Sequence, residues 1–214
     1  MARKKLFITG AAGNVGSGLR RHLRDQYDFR LMFHSTIPDV EPSDEVVVSD
    51  LADFELSERF ALAFAAVNTF LELPSQADQL SCLSRARRHL QDSGVLILDV
   101  FNPDRMLLEG GLVLDRRLKD SAACATIVKA VSGEVERFRQ LQRLTLIYDR
   151  AGSDGRIERS LFETGLRYIY PCEMELLLAS SGFQVECVYG DYDLSPFADD
   201  SDRMIAVAVR SRRK

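Results

Sequence analysis

Seven residues near the start of the chain, Gly10-Ala11-Ala12-Gly13-Asn14-Val15-Gly16, restrict what it can fold into more than any other stretch. They follow an apolar run, Leu6-Phe7-Ile8-Thr9, and open the stretch Ser17 to Arg24, whose apolar positions suit a helix. A glycine-rich turn between strand and helix leaves backbone N–H groups unobstructed at a helix N-terminus, where a pyrophosphate can be held. Gly10 permits the tight turn, Gly13 lets the backbone approach phosphates, and Gly16 lets helix and strand pack closely. Ala12, Asn14 and Val15 complete the candidate cradle. Isolated glycines also mark ordinary turns. Here the flanking strand and helix patterns favour binding of a nucleotide coenzyme.

A chain of 214 residues with 46% hydrophobic content can bury one full core, which predicts one domain. The formal charge of -4 argues against a nucleic-acid partner, and Arg210, Arg212, Arg213 and Lys214 read as a solvated basic terminus. Cys82, Cys124, Cys172 and Cys187 form no C-x-x-C pair and the chain has only three histidines, so free thiols are expected rather than a zinc site or disulfide framework. Such thiols suit a reducing cytoplasm. The basic start Met1-Ala2-Arg3-Lys4-Lys5 precedes an apolar run that breaks at Gly10, too short for a signal peptide or membrane span. The expectation is a soluble, cytoplasmic monomer or weak homodimer with no membrane partner.

Along the chain, Leu6 to Thr9 reads as a buried first strand, Asn14 to about Gln26 as a helix, and Phe29 to Phe33 as a second strand. After that strand stand His34, Ser35 and Thr36 where a dinucleotide fold usually offers a carboxylate to the ribose. His34 and Ser35 are candidates to face a 2′-phosphate, the alternative being an exposed loop. Glu45 to Ser49 is a third strand, ending at Asp50-Leu51. Asp50 can accept an adenine amino group while Leu51 packs on the ring; the alternative is a carboxylate that caps the next turn.

Up to Phe54 the chain resembles the short-chain dehydrogenase/reductase superfamily, in particular its NAD(P)-dependent epimerase/dehydratase-like members. The likeness lies in Lys5 to Gly16 and in Val48-Ser49-Asp50-Leu51-Ala52-Asp53-Phe54, and it implies NAD(P) binding. Such enzymes carry a Tyr-x-x-x-Lys pair, and none of the six tyrosines here has a Lys four residues on. The next apolar run, Phe60 to Val67, begins too soon after Asp50 for a full helical crossover, so a short irregular connection is expected.

From about Asp53 to Arg210 the chain resembles class I S-adenosylmethionine-dependent methyltransferases. Phe60 to Leu73 is similar to their fourth strand, with Asn68-Thr69-Phe70 where methyl transfer is arranged; Gln76 to Leu90 is an amphipathic helix; Ser93 to Pro103 is similar to the fifth strand. Tyr168 to Leu178, Ser181 to Glu186 and Arg203 to Arg210 are similar to the last helix and the sixth and seventh strands. The resemblance implies an acidic residue and a ribose carboxylate where this chain has Thr9 and His34, and a His where it has Glu72, a candidate base or an exposed helix-start residue. Between them, Ala125 to Val131, Gln140 to Tyr148 and Arg156 to Tyr168 alternate as antiparallel strands do, predicting a hairpin extension over residues 112–167 that serves as substrate cover or structural flap.

The expected fold is α/β: one Rossmann-like doubly wound domain with a seven-stranded sheet in methyltransferase-like order, the last strand antiparallel, plus the hairpins. Residues 1–54 form its dehydrogenase-like half, 55–111 and 168–210 its methyltransferase-like half, as in a recombinant joined near Asp50 to Phe54. Three functions follow in order: a chimera that binds an NAD(P)-type coenzyme without a complete catalytic set, an S-adenosylmethionine-dependent methyltransferase with Asn68 lining the acceptor site, and a scaffold that binds no coenzyme.

Overall fold

The computed structural model describes residues 4–9, 27–33, 45–48, 50–120 and 125–211. The chain divides into two compact units, one of residues 1–106 and 169–214, the other of residues 107–168.

In the first unit, β1 (Lys4–Thr9), β2 (Tyr27–Phe33) and β3 (Glu45–Val48) are short parallel strands. The connection from Asp50 to Phe60 contains no helix and turns tightly at once, with Ala52 N–H donating to Asp50 Oδ1 at 2.8 Å. It leads into β4 (Phe60–Ala65), which pairs with β1 in parallel so that Thr9 and Ala65 are register partners. A 3₁₀ turn, Thr69–Glu72, follows.

Helix α1 (Gln76–His89) begins at Ser75, whose extended backbone and Oγ, accepting from Asp78 N–H at 3.1 Å, satisfy a donor that the helix leaves open. Its buried residues Gln79, Cys82, Leu83, Ala86 and His89 recur at helical spacing and make one stripe. Arg87, Arg88 and His89 fill the last turn, where the helix dipole favours cations. β5 (Leu90–Phe101) comes next and pairs with β4 in parallel. Leu98 to Phe101 are all buried, as expected of a strand covered on both faces.

The second unit is an antiparallel meander of β6 (Val113–Asp120), β7 (Ala125–Glu136), β8 (Leu141–Ala151) and β9 (Ile157–Arg167). Gln140 at φ 52 closes the turn between β7 and β8, and Gly155 at φ 77 the next one. Directly opposed Asp149 and Arg159 form a two-bond pair, both at 2.7 Å, and Arg159 holds the Asp149 carboxyl below its ordinary value.

The chain returns to the first unit with α2 (Pro171–Ser180), which has Pro171 in its first turn and buries Met174, Leu177 and Leu178. β10 (Phe183–Tyr189) and β11 (Arg203–Arg210) then pair antiparallel, and β11 pairs antiparallel with β5. The resulting sheet runs β10-β11-β5-β4-β1-β2-β3. This is an α/β, Rossmann-like arrangement with a mixed sheet in the first unit and a wholly antiparallel sheet in the second. Among the described residues no helix is long and apolar enough to cross a membrane.

Candidate functional site

Strands β1 to β5 are parallel, so their carboxyl ends share one edge, and the strand order reverses between β1 and β4. Open α/β sheets bind ligands in the crevice at such a reversal.

What leaves β4 at that edge is unusual. Val67 and Asn68 both have left-handed backbones, φ 46 and φ 64, and for a β-branched residue this is a true outlier. The surroundings over-determine it. Val67 N–H donates to Asp99 Oδ2 at 3.1 Å, Asn68 N–H donates to the Asp99 carbonyl at 2.9 Å, and Asn68 Oδ1 accepts from Phe101 N–H at 2.8 Å. The fully buried Phe70 and Leu71 anchor the 3₁₀ turn behind them. Strain held in this way clusters at ligand sites. Asn68 Oδ1 is committed to β5, which leaves its Nδ2 as a donor.

Asp99 is the centre of the arrangement. Its carboxylate is completely buried and is met by Arg203, with Nε at 2.8 Å and Nη2 on the same oxygen, and by the Tyr192 hydroxyl, which donates at 2.9 Å. The Arg203 guanidinium lies 4.9 Å from the centre of the Tyr192 ring, a cation–π contact. Burial, and then the negative charge of Asp99, push the Tyr192 phenol up to about 12, so at neutral pH it donates a hydrogen bond and takes no proton. Tyr192 belongs to the loop between β10 and β11. Buried Asn102 ties that loop to β5: its backbone N–H donates to Asp202 O at 2.9 Å and its Nδ2 to Ser201 O at 2.8 Å.

Asp50 emerges at the same edge just beyond β3 and is exposed, with Oδ1 engaged by Ala52 N–H; Leu51 beside it is half-buried. Of the candidate residues read from sequence, the structure therefore brings Asp50, Leu51 and Asn68 to one edge of the sheet. Gly10, Ala12, Gly13, Asn14, Val15, Gly16, His34 and Ser35 lie outside the described residues. The sequence reading assigned no role to Val67, Asp99, Tyr192 or Arg203. A signal was present in Asp99, one carboxylate inside the apolar run Val95 to Phe101, but its partner Arg203 lies 104 residues further on.

No family model matches the chain, and no match was found among curated proteins. Solved structures do match. The CcbJ methyltransferase from Streptomyces caelestis is 20% identical with a TM-score of 0.76, covering 99% of this chain and 85% of that one. The chain has the class I methyltransferase fold. The sugar N-methyltransferase KedS8 from Streptoalloteichus is 19% identical with a TM-score of 0.74, covering 98% of this chain and 81% of that one. CalS10, an amino pentose methyltransferase from Micromonospora echinaspora with S-adenosylmethionine bound, is 15% identical with a TM-score of 0.73, covering 98% and 84%.

These likenesses overturn the expectation of an NAD(P)-binding chimera. The methyltransferase part of the two-family reading is supported; the dehydrogenase part is not, since the likeness spans nearly the whole chain, its first strands included. The physical reason lies in the sheet. A dinucleotide fold orders its strands 3-2-1-4-5-6, and this sheet shares β3-β2-β1-β4-β5 with it. The two architectures part only beyond β5, where β11 lies antiparallel. The glycine run that suggests NAD(P) follows β1 in sequence, within the part of the strand order that the two architectures share.

Proposed function

We propose that the chain is an S-adenosylmethionine-dependent methyltransferase acting on an amino group of a small, sugar-bearing acceptor. The observation that carries this reading is the strained Val67-Asn68 turn at the sheet's reversal point, pinned to β5 through Asp99. The fold shared with an amino pentose and a sugar N-methyltransferase supports the acceptor class.

The residues present fit the coenzyme at its adenosine end. Asp50 is an exposed carboxylate with one oxygen bound to Ala52 N–H, leaving the other to accept an adenine amino group, and Leu51 offers an apolar face to the ring. Gly10, Gly13 and Gly16, which follow β1 in sequence, extend that proposal. When bound, S-adenosylmethionine supplies a methyl group on a strongly electrophilic sulfonium, so in-line placement of the acceptor provides much of the rate. Asn68 Nδ2 is a donor and orients an acceptor oxygen; Tyr192, protonated at neutral pH, is no base. Glu72 is exposed at the end of the 3₁₀ turn and is not needed for the transfer.

Calorimetric titration with S-adenosylmethionine, NAD+ and NADP+ in parallel tests the reading. Saturable binding of S-adenosylmethionine alone is expected, weakened about tenfold in Asp50→Ala through loss of one charge-assisted hydrogen bond, and unchanged in Glu72→Gln. Absence of binding would leave a scaffold with no coenzyme. Release of S-adenosylhomocysteine with amino sugars, and not with their hydroxyl counterparts, tests the acceptor.

A further inference from the structure

A second polar cavity lies at the other end of the sheet from this site. Its volume is about 430 Å³ and its walls come from Ser84, Arg87 and Arg88 of α1, Ser180 and Ser181 at the end of α2, Gly182 between α2 and β10, and Ser211 beyond β11. The chain enters β5 at Leu90, directly after α1, and reaches Asp99 roughly 30 Å later. The two sites are therefore separate.

Helices α1 and α2 both finish here, and their carbonyl ends draw in cations. That accounts for arginines but not for the rest of the lining. The carbonyls of α2 are already served: Ser181 N–H donates to Leu177 O and Leu178 O at 3.1 Å, and Gly182 N–H to Ala179 O at 3.0 Å. The Gly182 carbonyl accepts from Arg87 Nε and from Ser211 N–H, each at 3.0 Å, which fixes the guanidinium by one edge. Gly182 has φ 78, and a Cβ there would stand 2.6 Å from Arg87 Nε, so backbone and arginine meet because no side chain intervenes.

Two features remain open. Arg87 has no carboxylate partner among the described residues, whereas Arg88 shares Glu55 at 3.2 Å, and no carboxylate lines the cavity. Ser181 is only 9% exposed and its Oγ has no hydrogen-bond partner, in a protein interior where buried hydroxyls are normally paired.

We infer that this cavity binds a phosphate group through the free Nη atoms of Arg87, the Arg88 guanidinium and the hydroxyls of Ser84, Ser180 and Ser211. A phosphate has oxygens pointing in several directions and takes both guanidinium and hydroxyl donors. The cavity is larger than inorganic phosphate, with space for the organic remainder of a phosphate ester, and the same chemistry serves a free metabolite or a lipid headgroup.

Titration of the full-length chain with sodium phosphate, at ionic strength held constant with chloride, is the test. Saturable binding is expected, at least tenfold weaker in Arg87→Gln and measurably weaker in Ser84→Ala. Arg88→Gln, which leaves the Gly182 carbonyl contact in place, gives the same reading if Arg87→Gln fails to fold by circular dichroism. Co-sedimentation with phosphatidylcholine vesicles containing phosphatidic acid, reversed by free phosphate, assigns the site to a headgroup; no co-sedimentation assigns it to a soluble ester. No saturable phosphate binding, or equal affinity in the parent and both arginine variants, overturns the inference.

Discussion

Asp99 holds three parts of the chain with one carboxylate: the turn after β4, the loop carrying Tyr192, and the start of β11. A buried charge is tolerated only while it is paired, and removing one partner strands the other. Asp99→Ala leaves Arg203 one-fifth exposed and without its carboxylate, and a loss of about 3 kcal/mol in stability is expected from urea unfolding. Arg203→Met added to Asp99→Ala should restore part of it; a loss below about 1 kcal/mol in the single variant would show that the cluster holds nothing together. Tyr192 gives the same cluster a pH signature. Its phenol ionises at about 12 in the folded chain and near 10 in an unfolded one, so the folded state prefers the proton. Its contribution to stability is complete below about pH 10 and disappears as pH rises through about 12. In an alkaline titration of tyrosinate absorbance, Tyr192→Phe should remove the highest-pH component; loss of an ordinary tyrosine component instead contradicts the assignment.

At the scale of elements, glycines mark where backbones approach too closely for a side chain. Gly133 in β7 is buried, and a Cβ there would lie against the Leu108 carbonyl oxygen, well inside van der Waals contact. Gly133→Ala must push apart the strand and the segment that Gly110 N–H ties to the Gly133 carbonyl at 2.8 Å. A loss of about 2 kcal/mol is expected. Hydrogen exchange should report it in β6 to β9 and leave β4, β5 and β11 protected, because the second unit packs as a meander of its own. Uniform loss of protection across both units would mean that they unfold as one.

For the whole molecule, a coenzyme bound only by the folded chain raises its stability by mass action, by about 2.7 kcal/mol at a hundredfold excess over Kd. Thermal unfolding with S-adenosylmethionine should therefore shift upward with ligand concentration, and Gly13→Val, by crowding the backbone approach to the ligand, should abolish the shift. Equal shifts in Gly13→Val and the parent would make the glycine turn a fold element alone.

How much of this was legible beforehand depends on the range of the interaction. The helix pattern of α1 rests on a periodicity of a few residues, and the chain displays it directly, as it does the short link after Asp50, whereas β4, β5, α2, β10 and β11 are read from the family resemblance. Asp50 was legible as a strand-end residue from the strand pattern of Glu45 to Ser49 before it, and Asn68 from the family resemblance. The methyltransferase-like strand order and the antiparallel last strand come from the family resemblance and not from a local pattern, because the pairing of β11 with β5 joins residues about a hundred positions apart. Asp99 and Arg203 likewise read separately as a buried acid and a strand-start cation. Only closure of the sheet makes them a pair, because it buries the Asp99 carboxylate completely and sets the one-fifth-exposed Arg203 against it, so that the buried charge keeps its partner.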